Sequence, residues 1–262
     1  MHRFRKEKRT MKKLPYISPI SWLHLAKLIL RSILLVGMTV LYVLEKCHVL
    51  DTQMLLARFL FVPITVWVVF VGEMVLRFFP SRFESMGCQK QFARNYEPTG
   101  EDTPENQSWK VTALVAAVWL TLNGVIGLFY LLGFYDYPVL VIISLVFSVC
   151  DIICILYFCP FQTWFMKNRC CTTCRIYNWD FAMMFTPLVF IPHWYTYSLL
   201  GCALALLLRW EITYRIHPER FSTATNRCLD CSNCEEKLCS HKKQLQGFLK
   251  KYKTRFFPSR EI

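Results

Sequence analysis

The chain has 262 residues, of which 54% are hydrophobic and 16% aromatic, and a formal net charge of +13. A water-soluble domain of this length is less apolar, and the apolar residues fall in long runs, which excludes an ordinary soluble globular protein and points to a bilayer. The positive charge sits mostly at the two ends with no nucleic-acid motif beside it, so no nucleic-acid partner is expected.

The expected fold class is all-α: a multispan integral membrane helical bundle with a cytoplasmic Cys-rich tail, placed in the plasma membrane. Lys and Arg flanking membrane spans are retained inside, so both termini are expected in the cytoplasm. No cleavable signal peptide is expected, because the basic start is long and no small-residue cleavage site follows the first apolar run.

Residues 1–27 form a basic N-terminal segment, with Arg3, Arg5, Lys6, Lys8 and Arg9 among its cations. Such a segment suits anionic lipid headgroups. The membrane domain covers 28–208. Its first span is 28–44, with Arg31 near one end, where its long stem can snorkel. The second span is 59–76, in which Glu73 stands four residues before Arg77, the favourable order for a helical ion pair. Residues 80–110 form a cytoplasmic loop whose second half, Glu97-Pro-Thr-Gly-Glu-Asp-Thr-Pro-Glu-Asn106, has the composition of a tether.

The third span is 111–134 and the fourth 139–158, joined by the turn Tyr135-Asp136-Tyr137-Pro138. Asp151 lies in the fourth span, flanked one helical turn apart by Cys150 and Cys154. A carboxylate with neighbouring thiols can bind a soft cation or relay protons. It can equally be a protonated acid bonded to a neighbouring helix. Cys159-Pro160 ends this span, and the Cys loop 159–180 carries Cys170, Cys171 and Cys174 before Asp180, an expected N-cap.

Residues 181–208 are apolar apart from His193. A straight helix of that length would reach ~42 Å, against roughly 30 Å of hydrocarbon. Pro187 and Pro192 predict a break. Four spans return the chain to the cytoplasm and the tail is strongly basic, so a broken helical hairpin is expected, turning near Ile191 to His193, with arms of about 12 to 16 residues, too short for a standard crossing.

The tail, 209–262, is cytoplasmic, basic and Cys-rich. Residues 241–257 read as a membrane-surface helix, and Arg77-Phe-Phe-Pro-Ser-Arg82 recurs as Arg255-Phe-Phe-Pro-Ser-Arg260. The chain has 13 cysteines, and cytosolic exposure favours metal binding over lasting disulfides. In the tail Cys228, Cys231, Cys234 and Cys239 are followed by His241, a C-x2-C-x2-C-x4-C-x-H spacing. Thiolates at successive steps of three can wrap a cubane. Over this stretch the chain resembles bacterial ferredoxins, which implies an iron–sulfur cluster. It departs from their C-x2-C-x2-C-x3-C-P run in one longer gap and in Ser240 where proline would stand. Zinc is the alternative, with any four of these five residues as a tetrahedral set.

Cys170, Cys171 and Cys174, with Cys159 upstream, are candidate ligands of a second site or of a bridge to the tail. A Cys-Pro turn at a membrane exit followed by cytosolic cysteines also resembles membrane-bound polyferredoxin-type carriers. The expected function is a membrane-anchored metal-binding protein, iron–sulfur in type, serving electron transfer or a metalloenzyme system with a membrane redox or metalloenzyme partner. A soft-metal transporter using Asp151, Cys150 and Cys154 and a scaffold with a structural zinc module are the alternatives. No catalytic motif of the zincin, nucleophile-elbow, Walker or dinucleotide type is present, so no reaction is assigned.

Overall fold

The computed structural model describes residues 19–47, 61–82, 84–105, 108–168 and 170–234. Cys239, His241, the surface helix expected over 241–257 and the hexapeptide at 255–260 fall outside these residues. Among the described residues the chain is mostly helical and has no strand, only an isolated bridge between Pro98 and Asn226. In order, the helices are α1 (Pro19–Lys46), α2 (Phe61–Leu76), the short α3 (Met86–Gln89), α4 (Trp109–Leu131), α5 (Tyr137–Leu156), α6 (Asp180–Phe185) and α7 (Trp194–Ile216). Three of them, α1, α4 and α5, are long and apolar enough to cross a membrane.

The faces of α1 are reversed relative to a helix in water. Its buried residues are Ser21, His24 and Arg31. Its exposed face carries Ile29, Ile33, Val36, Val40 and Val43, each 50–63% exposed. A soluble helix turns its apolar stripe inward. An outward aliphatic stripe backed by a buried polar one is what lipid as solvent selects. The end of α1 meets the start of α5 through Lys46 and Asp136, while Arg31 near the middle of α1 meets Asp151 toward the end of α5, so the two helices run antiparallel.

Residues 181–208 are broken as the prolines predict. After α6 the chain tightens into a 3-10 stretch, Thr186–Phe190, with Pro187 in its first turn. It restarts as α7 beyond His193, where the Thr196 hydroxyl donates to the Ile191 carbonyl at 2.7 Å. Phe181, Met184, Phe185 and Leu188 form the middle of the main core, packed by Phe70 and Met74 of α2, Leu140 of α5 and Leu199, Ala203 and Leu206 of α7. The second arm is longer than expected, however. It runs on to Ile216 because the residues past Leu208 have protein partners: Trp210 is fully buried and its indole N–H donates to the Arg175 carbonyl at 3.0 Å. Asp180 is not the N-cap; it stands in the first turn and is drawn to Arg77.

The loop after α2 is not a free tether over its described residues. The Glu97 carbonyl accepts from Arg227 N–H at 2.8 Å, Thr99 N–H donates to the Thr225 carbonyl at 3.2 Å, and Glu105 N–H donates to Ser222 Oγ at 3.0 Å. The polar composition reads as disorder in isolation, but these backbone groups are paired with residues 222–227.

Gly127 of α4 is where that helix meets the 3-10 stretch. A Cβ there would lie 2.0 Å from Phe190 Cζ. Gly127→Ala is expected to lower stability by about 1–3 kcal/mol, the range for overpacking a tight site, measured as the shift in thermal unfolding in detergent micelles. The same change at Gly124, which has open space around it, serves as the control and should be neutral or slightly stabilising.

Candidate functional site: two cysteine-lined cavities beside a buried charge cluster

The polar ends of the helices converge on one cluster. Arg31 of α1 donates to Glu73 of α2 at 2.9 Å and to Asp151 of α5 at 3.1 Å, and also to the Ser148 carbonyl at 2.9 Å. Lys27 lies 3.7 Å from Glu73 and 3.4 Å from Glu84. Arg77 is 2.6 Å from Asp180 and donates to Asn178 Oδ1 at 2.9 Å, with its guanidinium over the Phe181 ring. The snorkelling expected of Arg31 is therefore overturned: its side chain is buried between two acids. Glu73 pairs with Arg31 rather than with Arg77. A charge inside a bundle is held by the nearest opposite charge on a neighbouring helix, whatever the local spacing.

The Cys loop is built on this layer. Pro160 turns the chain into a π-helical turn, Phe161–Phe165, from which Gln162 donates to the Asn168 carbonyl at 3.0 Å and accepts from the Cys171 thiol at 2.8 Å. Lys90, fully buried just after α3, donates to the carbonyls of Thr172 and Cys174 at 2.8 and 2.9 Å. Its ammonium lies over the rings of Trp210 and Phe221. Burial pushes Lys90 down to about 7 and the Cys174 thiol up to about 11.

This loop divides its cysteines between two cavities. Cys171 and Cys174 line an inner cavity of about 140 Å³ with Cys150, Cys154 and Cys159. Cys170 lines an outer cavity of about 1170 Å³ with Cys228, Cys231 and Cys234. Adjacent Cys170 and Cys171 thus face different spaces. Asp151 borders the inner cavity, but its carboxylate is engaged by Arg31.

The tail cysteines are presented by two successive 3-10 turns, Arg227–Leu229 and Cys231–Asn233. Buried Asn226 accepts from Cys228 N–H at 3.1 Å and donates to the Arg220 carbonyl at 2.9 Å, tying the first turn down. The Asp230 side chain accepts from Ser232 N–H at 3.5 Å and caps the second. Side-chain caps of this kind fix loop backbone that would otherwise stay solvated. Arg82, Arg94 and Arg227 border the outer cavity, with Glu84 and Glu97. Among the described residues no three His, Cys, Asp or Glu side chains stand close enough together to hold one metal ion.

Sequence reasoning picked out the cysteines and Asp151, gave Arg31 and Arg77 the wrong surroundings, and missed Lys90. The two arginines carried a usable signal, since a cation within or beside an apolar span calls for an acid on another span. Compared with known protein families, with curated proteins and with solved structures, the chain has no match.

Proposed function

We propose that the chain is a membrane-anchored metal protein whose centre assembles in the outer cavity on the cytoplasmic side, with both termini on that side. Cys228, Cys231, Cys234 and Cys170 are the ligands on the described residues, and Cys239 and His241 follow in the sequence. The observation that carries the reading is the meeting of Cys170 from one loop with three tail cysteines around a single cavity.

A single zinc draws four ligands to within about 2.3 Å, whereas an iron–sulfur cluster spreads its thiolates over several iron atoms. A cavity of about 1170 Å³ bordered by Arg82, Arg94 and Arg227 against Glu84 and Glu97 suits the larger, negatively charged thiolate-bound cluster. Such a cluster supplies one-electron transfer, to a redox or metalloenzyme partner at the membrane face. Transport of a soft cation past Asp151 is less well supported, because Arg31 already occupies the carboxylate.

Purification without oxygen tests this reading. A brown protein with iron and acid-labile sulfide is expected, and Cys231→Ser and Cys170→Ser should each lose or alter the visible absorption. About one zinc per colourless chain would move the reading to a structural zinc module. A colourless, metal-free protein whose Cys231→Ser variant is as stable as the parent would sink it.

A further inference from the structure

The inner cavity belongs to a different chemistry from the outer one. Besides Cys150, Cys154, Cys159, Cys171 and Cys174, it is lined by Met183 and Met184 of α6, so its wall is rich in sulfur from both thiols and thioethers. Its carboxylates are already neutralised: Asp151 by Arg31 at 3.1 Å and Asp180 by Arg77 at 2.6 Å. A hard cation such as magnesium or calcium requires free oxygen ligands, and both acids on this wall are taken. Soft thiolate and thioether ligands instead select a soft ion.

Two of these cysteines stand together in the chain: Cys154 near the C-terminal end of α5 and Cys159 just past it both border the cavity, where Cys159-Pro160 turns the chain. Cys159 Sγ accepts from Gln162 N–H at 3.4 Å, and Gln162 Oε1 accepts from the Cys171 thiol at 2.8 Å. Cys171 lies beside them, its sulfur 3.9 Å from the Cys154 carbonyl oxygen. Tetrahedral zinc needs four ligands, and no three converge among the described residues; a two-coordinate soft ion needs only two sulfurs.

We propose that the inner cavity is a site for a soft monovalent cation of the Cu(I) class, held between the sulfurs of Cys154 and Cys159. Binding forms two metal–sulfur bonds and releases the two thiol protons to solvent, with no change in oxidation state. Cys171 and Cys174 stand on the same wall as the thiols to which the ion can next exchange. None of the outer centre's ligands belongs to this site, so the proposal stands or falls without that centre.

The test uses the full chain in detergent micelles, reduced and without oxygen. One equivalent of Ag(I), a redox-inert stand-in for Cu(I), is added before maleimide, and the labelled cysteines are identified by mass spectrometry. Protection is expected at Cys154 and Cys159 together, with the tail cysteines labelled as in the untreated protein. In competition with a chromogenic Cu(I) chelator, Cys154→Ser and Cys159→Ser should each lose one tight equivalent, and Cys202→Ser should lose none. Protection falling on the tail cysteines instead, or spread evenly over all thiols, overturns the proposal. The protection experiment needs no variant, so a misfolded Cys154→Ser protein does not blunt it.

Discussion

Replacing Arg31 by Met is expected to destabilise the protein by about 3–5 kcal/mol, the cost of breaking a buried ion pair by removing one partner. The methionine keeps the length of the stem and removes the charge. It leaves Glu73 and Asp151 facing each other without the guanidinium that now lies 2.9 and 3.1 Å from them. The Ser148 carbonyl loses its donor at the same time. Thermal or denaturant unfolding in micelles measures the loss. The triple change Arg31→Met, Glu73→Gln, Asp151→Asn removes all three charges and should recover most of it, since neutral replacement of a buried ionic group is often harmless. An Arg31→Met protein within about 0.5 kcal/mol of the parent, the usual range for a surface change, would mean that the cluster is solvated and not the keystone between α1, α2 and α5.

Lys90→Met should also cost several kcal/mol. The Thr172 and Cys174 carbonyls each lose their donor, at about 1–3 kcal/mol per buried unsatisfied group. The effect should be visible locally, because those two carbonyls hold the Cys loop: Cys174, buried in the parent, should become reactive to maleimide. A pH signature separates this from generic loosening. The folded-state value of Lys90 is pushed down to about 7, against about 10.4 for an exposed lysine. Over that window the unfolded chain binds a proton that the folded chain does not. Stability attributable to Lys90 therefore rises as the pH climbs from about 7 toward 10, with a slope set by the difference in bound protons. The Met variant should lack this rise. An unchanged pH profile would show that the two carbonyls and two rings keep the ammonium charged.

The helices were legible because the bilayer writes long apolar runs, and Pro187 and Pro192 marked the break in 181–208. The partners of the charges were not. Glu73 and Arg77 stand at a spacing that reads as a pair along one helix, yet tertiary packing gives Glu73 to Arg31 and Arg77 to Asp180. Local spacing records which residues share a helix face but not which helices meet. Lys90 was hidden because no local pattern marks it in the first half of the loop at 80–110, and its burial depends on the docking of Trp210 and Phe221. The cysteine clusters were plain in the sequence. Their division between two cavities was not, since it depends on the backbone turn at 170–174.

That division means that the two cavities share a partition a single peptide thick. Successive Cα atoms are only about 3.8 Å apart, and Cys170 and Cys171 are anchored on opposite sides of it, to Thr172 Oγ1 and to Gln162 Oε1. Tilting this one amide plane swings both sulfurs at once, in opposite senses. A ligand in one compartment that shifted this amide would also shift the thiol in the other, and by linkage the influence would be equal in both directions.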